Sequence, residues 1–243
     1  MHEENRMFWR HCAEIYPRYF NNAKVIELGS FNINGTVRDY FKGCDYTGVD
    51  WKPGPCVDVV SLIHNLSTEI KYDTIISASM LEHDPWPEKS MAKMVDLMKP
   101  DGVLLLSWGC NHAVGAHCLA EAPDHEYHAL KGQIVHDFLV AAGLHIAEFR
   151  YTHTFVGYKT IEEAWKGRGS YFIGEILAIA FKDPSNIVGE PIIDEMLPED
   201  KSDYKGKTVY ITFPFSPAVS TPQQTDPRPQ PNPNERPPVF TRR

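Results

Sequence analysis

Lys24-Val25-Ile26-Glu27-Leu28-Gly29-Ser30-Phe31-Asn32-Ile33-Asn34-Gly35 is the stretch whose reading decides the fold. An apolar run carrying one acid breaks at a glycine into a polar loop, which is the pattern of a buried strand opening into a ligand-binding turn. Gly29 has no side chain, so a ligand or a neighbouring segment can approach its backbone closely. Asn34-Gly35-Thr36 supplies turn and capping chemistry for a helix expected over about residues 35–42. A second apolar run, Tyr46-Thr47-Gly48-Val49, ends in Asp50. That acid follows the glycine by roughly 20 residues, the spacing at which an α/β nucleotide site sets a carboxylate against a ribose.

Outward from this centre, Met7, Phe8, Cys12, Ile15 and Tyr19 recur at three- and four-residue steps, so residues 4–20 read as an amphipathic helix that Pro17 kinks or stops. Downstream, the turn Lys52-Pro53-Gly54-Pro55 precedes a short strand at 57–60, and Tyr72 to Ala78 reads as a buried strand. A helix over 88–98, with Met91, Met94, Val95 and Met98 on one face, is stopped by Lys99-Pro100-Asp101-Gly102 before a strand at 103–107. Residues 108–130 lack periodicity and read as a long functional loop, followed by a helix at 131–142, a strand at 145–151, a helical turn at 160–166 and a closing strand at 171–181. Alternation of strand and helix requires parallel pairing with right-handed crossovers, hence an α/β sheet covered by helices on both faces.

Composition sets the outer bounds. With 243 residues, 42% of them hydrophobic, the chain can bury one substantial core. The expected organisation is an N-terminal helix in 1–22, a core domain over 23–182, an extension over 183–213 holding one short strand near 209–213, and a proline-rich tail over 214–243. That tail cannot bury enough apolar surface to order itself. A net charge of -8 and a pI near 5.7 disfavour a protein that lives by neutralising phosphates. No run of about 20 apolar residues and no basic-then-apolar leader occurs, so a soluble, unexported, cytoplasmic chain without membrane attachment is expected. Five cysteines without CxxC spacing suit reduced thiols.

Taken together, Glu27-Leu28-Gly29-Ser30, Gly48-Val49-Asp50, Val57-Asp58-Val59-Val60 with His64-Asn65-Leu66, Tyr72-Asp73, Met80-Leu81-Glu82-His83 and Leu97-Met98-Lys99-Pro100-Asp101-Gly102 resemble a class I S-adenosylmethionine-dependent methyltransferase of the methyltransferase type 11 kind. The resemblance spans about residues 23–182. It implies a three-layer, doubly wound, seven-strand, mostly parallel sheet whose last strand is antiparallel, and S-adenosylmethionine as cofactor with S-adenosylhomocysteine as product. It also implies roles by position. Gly29, Ser30 and Asn34 would line the cofactor loop that Glu27 holds, and Asp50 would accept from the ribose hydroxyls. Trp51, Leu62 and Ile63 would wall the adenine, while Ser77 and Ser79 would face the methionine moiety and the sulfonium. Relatives often carry an acid where Leu62-Ile63 stands here.

Rival chemistries leave different residues. A dinucleotide oxidoreductase shares the topology and the ribose acid, but its GxGxxG pattern counted from Gly29 would need glycine where Phe31 and Asn34 stand. No GK[ST] follows the turn, which excludes a P-loop. For the proton that an acceptor must lose, His83 at the carboxyl edge of the fourth strand is the best-placed base, with His112 and His117 in the long loop as further candidates. His112, His117, Cys118, His125 and His128 are zinc-ligand types, yet their spacing matches no metal site, so none is expected. Ser77-Ala78-Ser79-Met80 replaces the motif of DNA amino methylation, which favours a small molecule, sugar or protein side chain as acceptor. The reading from a different class is a non-catalytic module on the same fold, holding a partner through the 109–130 loop or the tail.

Overall fold

The computed structural model describes residues 3–33, 35–109, 132–156, 171–194 and 209–212. In chain order the elements are α1 (Glu3–Ile15), β1 (Lys24–Leu28), β2 (Asp45–Asp50), β3 (Val59–Val60), β4 (Tyr72–Ala78), α2 (Pro87–Leu97) and β5 (Met98–Gly109). They continue with α3 (Gly132–Ala141), β6 (His145–Val156), β7 (Tyr171–Phe181), β8 (Ile192–Ile193) and β9 (Val209–Thr212). The strands form one sheet in the order β3-β2-β1-β4-β5-β7-β6-β8, with β9 also pairing to β6. β3, β2, β1, β4 and β5 run parallel, and β7 enters antiparallel between β5 and β6. The expected α/β architecture with an antiparallel closing strand is therefore present, extended beyond seven strands by β8 and β9.

Both faces of the central strands are covered, so their sequences read as continuous apolar runs rather than alternating ones. On one face Ile26, Leu28, Ile75, Leu104 and Leu106 pack with Met91, Met94 and Leu97 of α2 and with Val135 and Leu139 of α3. On the other, Val25, Ile76, Val103, Leu105, Leu177 and Ile179 pack with Phe8, Trp9 and Cys12 of α1. Pro17 ends α1, as its missing N–H requires, and a 3-10 turn at Pro17–Tyr19 follows. Tyr19 then ties this end to the amino edge of the sheet: its hydroxyl donates to the Asp101 carbonyl at 2.7 Å, and its own carbonyl accepts from the Thr74 hydroxyl at 2.8 Å. At the opposite end of α1, the Asn5 amide donates to Ser79 Oγ at 3.3 Å, beyond the carboxyl end of β4. Thirteen helical residues rise about 20 Å, close to the length of a seven-residue strand, so α1 spans the sheet from edge to edge.

Three local expectations are corrected. The helix expected over 35–42 is a 3-10 turn, Val37–Tyr40, capped by Thr36 Oγ1 accepting from the Arg38 N–H at 3.1 Å. Between Gly35 and Gly43 there is too little chain with an apolar stripe to offset helix nucleation. The strand expected at 57–60 shrinks to Val59–Val60, because Asp58 turns back to bind the backbone of Gly48. β5 starts at Met98, and the register between Tyr72 and Thr74 shifts to absorb Lys99-Pro100-Asp101-Gly102 as an irregularity within the strand. The expected turn at 160–166 and the tail lie outside the described residues. Among those described, no helix is long and apolar enough to cross a membrane.

Candidate functional site

Strand order reverses between β1 and β4: the chain leaves β1 toward β2 and β3, then returns to start β4 on its other side. Ligands of open α/β sheets bind in the crevice outside the carboxyl ends at such a switch point. Here both strands end in a left-handed residue, Gly29 at φ +90° and Ser79 at φ +48°. A β-carbon at position 29 would collide with the side chain of Met80, so Gly29 makes room for Met80 across the crevice.

Asp50 ends β2 beside that crevice. Its carboxylate accepts the Phe31 N–H at 3.1 Å and the Lys52 N–H at 3.2 Å, which locks the loop after β1 against the loop after β2. A carboxylate has about four lone-pair sites, so two such bonds leave acceptor capacity. The Ser61 N–H donates to the Asp50 carbonyl at 2.9 Å and draws the next loop alongside. Trp51 and Leu62 flank Asp50 in these loops and are 59% and 42% exposed, while Ile63 is buried in the core. Large apolar groups left open beside an acid suit a ligand with one flat apolar part and one polar part.

Glu27 is 4% exposed and bonded elsewhere: its Oε2 accepts the Tyr46 hydroxyl at 2.8 Å. Burial pushes its pKa from 4.5 up to about 7, against the Tyr46 hydrogen bond and the positive Arg38, which favour the charged form. Arg38 stacks over the Tyr46 ring at 4.6 Å and pairs with Asp58, whose carboxylate also accepts the Gly48 N–H at 2.7 Å. Glu27 thus ties β1 to β2 through Tyr46. Ser30 is buried against Gly48, where a β-carbon would meet Ser30 and the Cys56 carbonyl. A hollow of ≈ 340 Å³ lined by Arg38, Phe41, Gly43, Cys44 and Tyr46 opens near the start of β2, far along the strand from the switch point.

Ser79 and Ser77, expected side by side at the methionine end, are separated. Ser77 is fully buried within the sheet. By strand alternation it shares the α2 face with Ile75, so it offers no surface to a ligand. Ser79 lies at the edge in a polar cluster that the sequence reading missed. Its N–H donates to the Ser107 carbonyl and hydroxyl, both at 3.0 Å, and its hydroxyl meets Ser107 Oγ at 3.2 Å and Glu175 Oε2 at 3.5 Å. Two signals pointed there: Asn5 sits on the helical face of Phe8, Trp9 and Cys12, and Glu175 interrupts an apolar closing strand. His83 ends the 3-10 turn Leu81–His83 at the same edge and is half-buried, and Glu82 beside it accepts the Gly109 N–H at 3.3 Å. Asn34, His112, His117, Cys118, His125 and His128 lie outside the described residues. Among those described, no group of three or more His, Cys, Asp or Glu is arranged to hold a metal ion.

Comparison with solved structures sets this geometry in a known frame. The 1,6-didemethyltoxoflavin-N1-methyltransferase of Burkholderia thailandensis, solved with 1,6-didemethyltoxoflavin and S-adenosylhomocysteine, superposes with a TM-score of 0.50 at 18% identity over 72% of this chain and 77% of its own. A candidate methyltransferase from Bacillus halodurans C-125 superposes with a TM-score of 0.51 at 18% identity, over 71% of this chain and 99% of its own. The chain has the class I methyltransferase fold. The [4+2]-cyclase SpnF also shares it, with a TM-score of 0.51 at 11% identity over 74% of this chain and 81% of that one. One fold thus carries more than one chemistry, and the activity must be argued from the site. No protein-family model matches the sequence, and no curated protein does.

Proposed function

We propose that the protein binds S-adenosylmethionine in the switch-point crevice and transfers its methyl group to a small molecule, a sugar or a protein side chain. The carrying observation is Asp50, a carboxylate with spare acceptor capacity, flanked by the exposed Trp51 and Leu62. Asp50 is the acceptor for the ribose diol, with charge strengthening those bonds. Trp51 and Leu62 are the walls for adenine, and adenine recognition here rests on apolar contact and backbone groups. The loop from Gly29 through Asn34 and the residue Ser79 border the methionine part. Bound there, the cofactor supplies a methyl group made electrophilic by a sulfonium sulfur. His83 is the candidate for taking the acceptor's proton, and positioning supplies much of the remaining rate.

Calorimetric titration with S-adenosylmethionine and S-adenosylhomocysteine tests this reading. The wild type binds both, and Asp50→Ala weakens each about tenfold or more, the loss of a charge-assisted hydrogen bond. Asp50→Asn keeps an oxygen for only one of the Phe31 and Lys52 N–H groups, which different carboxylate oxygens accept, so thermal melts of both variants are compared with wild type to separate loss of ligand contacts from loss of loop structure. Absence of binding by the wild type, or equal affinity in Asp50→Ala, refutes the site.

A further inference from the structure

We propose that Glu27 distinguishes the methyl-bearing cofactor from its spent form: as a carboxylate it favours S-adenosylmethionine, whose sulfur is positive, over S-adenosylhomocysteine, whose sulfur is neutral, and as an uncharged acid it favours neither. The inference rests on the cofactor reading above. Strand order puts Glu27 in position for this role. Asp50 ends β2, Ser79 follows β4, and β1 lies between those two strands. A cofactor held by its ribose at Asp50 and by its methionine part near Ser79 has the sulfur that joins the two at the end of β1. Glu27 is the last residue but one of β1, in register with Gly48 on one side and Ile76 on the other. Two strand steps separate it from Gly29, a Cα distance of about 7 Å.

The surroundings of Glu27 make it responsive to a positive charge. It is 4% exposed and accepts the Tyr46 hydroxyl at 2.8 Å. Arg38, stacked over the Tyr46 ring, favours a charged Glu27, but its guanidinium also pairs with Asp58. Asp50 and Asp58 oppose that charge. From β4 the register neighbour is the uncharged Ile76, and α1 covers the same face with Phe8, Trp9 and Cys12, whose thiol burial keeps protonated. Burial has the largest influence and raises the pKa of Glu27 to about 7, so near neutral pH its carboxyl is divided between the two forms. Charges act over such distances far more strongly in a partly buried site than in water. Glu27 therefore gives up its proton more readily beside a positive sulfur, and by linkage the ionised carboxylate holds the positive form more tightly. A thioether sulfur does neither. The preference for S-adenosylmethionine thus rises with pH through about 7, and it favours exchange of product for fresh cofactor after transfer.

The test measures the affinities of the full chain for S-adenosylmethionine and S-adenosylhomocysteine by calorimetry at about pH 6, 7 and 8, with proton release read from the dependence of the heat on the buffer. The ratio of the two affinities is expected to move about three- to tenfold toward S-adenosylmethionine across that range, with more proton release at the middle pH for S-adenosylmethionine than for S-adenosylhomocysteine. Taking the ratio cancels any change in the stability of the fold, which both ligands share. Glu27→Gln flattens the ratio, apart from the ligands' own amino groups, which titrate alike with both proteins. Tyr46→Phe removes a hydrogen bond that favours the charged form, so it moves the midpoint of the rise to higher pH, and it serves if Glu27→Gln does not fold, as thermal melts would show. A ratio that stays constant with pH in the wild type, a full rise in Glu27→Gln, or an unmoved midpoint in Tyr46→Phe overturns the proposal. Binding of both ligands with a flat ratio removes this role of Glu27 and leaves the cofactor site standing, whereas binding of neither removes both.

Discussion

At the scale of single residues, Glu27 shows how one position serves two readings. An acid inside an apolar strand is legible as special, but its partner is not, because Tyr46 lies on another strand. Its raised pKa gives a signed prediction. The folded protein holds a proton on Glu27 between pH 4.5 and about 7 that the unfolded chain releases. Stability contributed by this residue is therefore full at the acid end of that window and is lost as pH rises through it, by on the order of 3 kcal/mol. Glu27→Gln, which keeps an acceptor for the Tyr46 hydroxyl, should flatten the trend. Urea midpoints of wild type and variant at pH 5 and pH 8 measure it, and parallel changes in the two proteins would falsify this assignment. Asp50 is the contrasting case. Its place at the strand end was readable from spacing, whereas its hold on the Phe31 and Lys52 N–H groups depends on two loops brought together.

At the scale of elements, the turn after β1 is where local sequence and tertiary packing meet most closely. Gly29 carries φ +90° and lies under Met80, so Gly29→Ala suffers both an unfavourable backbone and a steric collision. A loss of about 1–3 kcal/mol is expected, read from denaturation midpoints. Adding Met80→Ala removes the contact with the Met80 Cγ but keeps the one with its Cβ, so it should return only part of the steric loss and none of the backbone part. Complete recovery by the double variant would show that φ carries no strain. The 3-10 turn at Val37–Tyr40 was misread as a helix for a related reason: capping residues mark where a helix could begin, but its length depends on an apolar face with something to cover. α2 and α3 have such faces, and their bounds were legible to within a residue or two.

At the scale of the whole molecule, the chain beyond β7 returns to the sheet rather than leaving it. Asp194 accepts from the Tyr151 N–H at 3.0 Å and from Arg150 Nε at 2.9 Å, and its own N–H donates to the Phe149 carbonyl at 2.9 Å. β8 and β9 thereby cover part of the outer edge of β6. Ending the chain after Lys182 would leave that edge open, and open edges recruit other strands. Such a truncation should keep a cooperative melt but self-associate with rising concentration in sedimentation velocity. A monomer as well behaved as the full chain would show that the covering strands have no protective role.

Sequence alone determined the doubly wound α/β class, the place of the crevice after Gly29 and the acid at Asp50. Those features follow from local periodicity and from spacing along one chain. Tertiary structure decided how each candidate side chain is buried and what it bonds to. It enclosed Ser77, turned Glu27 toward Tyr46 and packed Ser30 beneath Gly48. It also gathered Asn5 and Glu175, 170 positions apart, around Ser79. The physical reason is that a strand's period assigns a side chain to a face, while burial and hydrogen-bond partners depend on what other segments place opposite it. No local pattern contains that information.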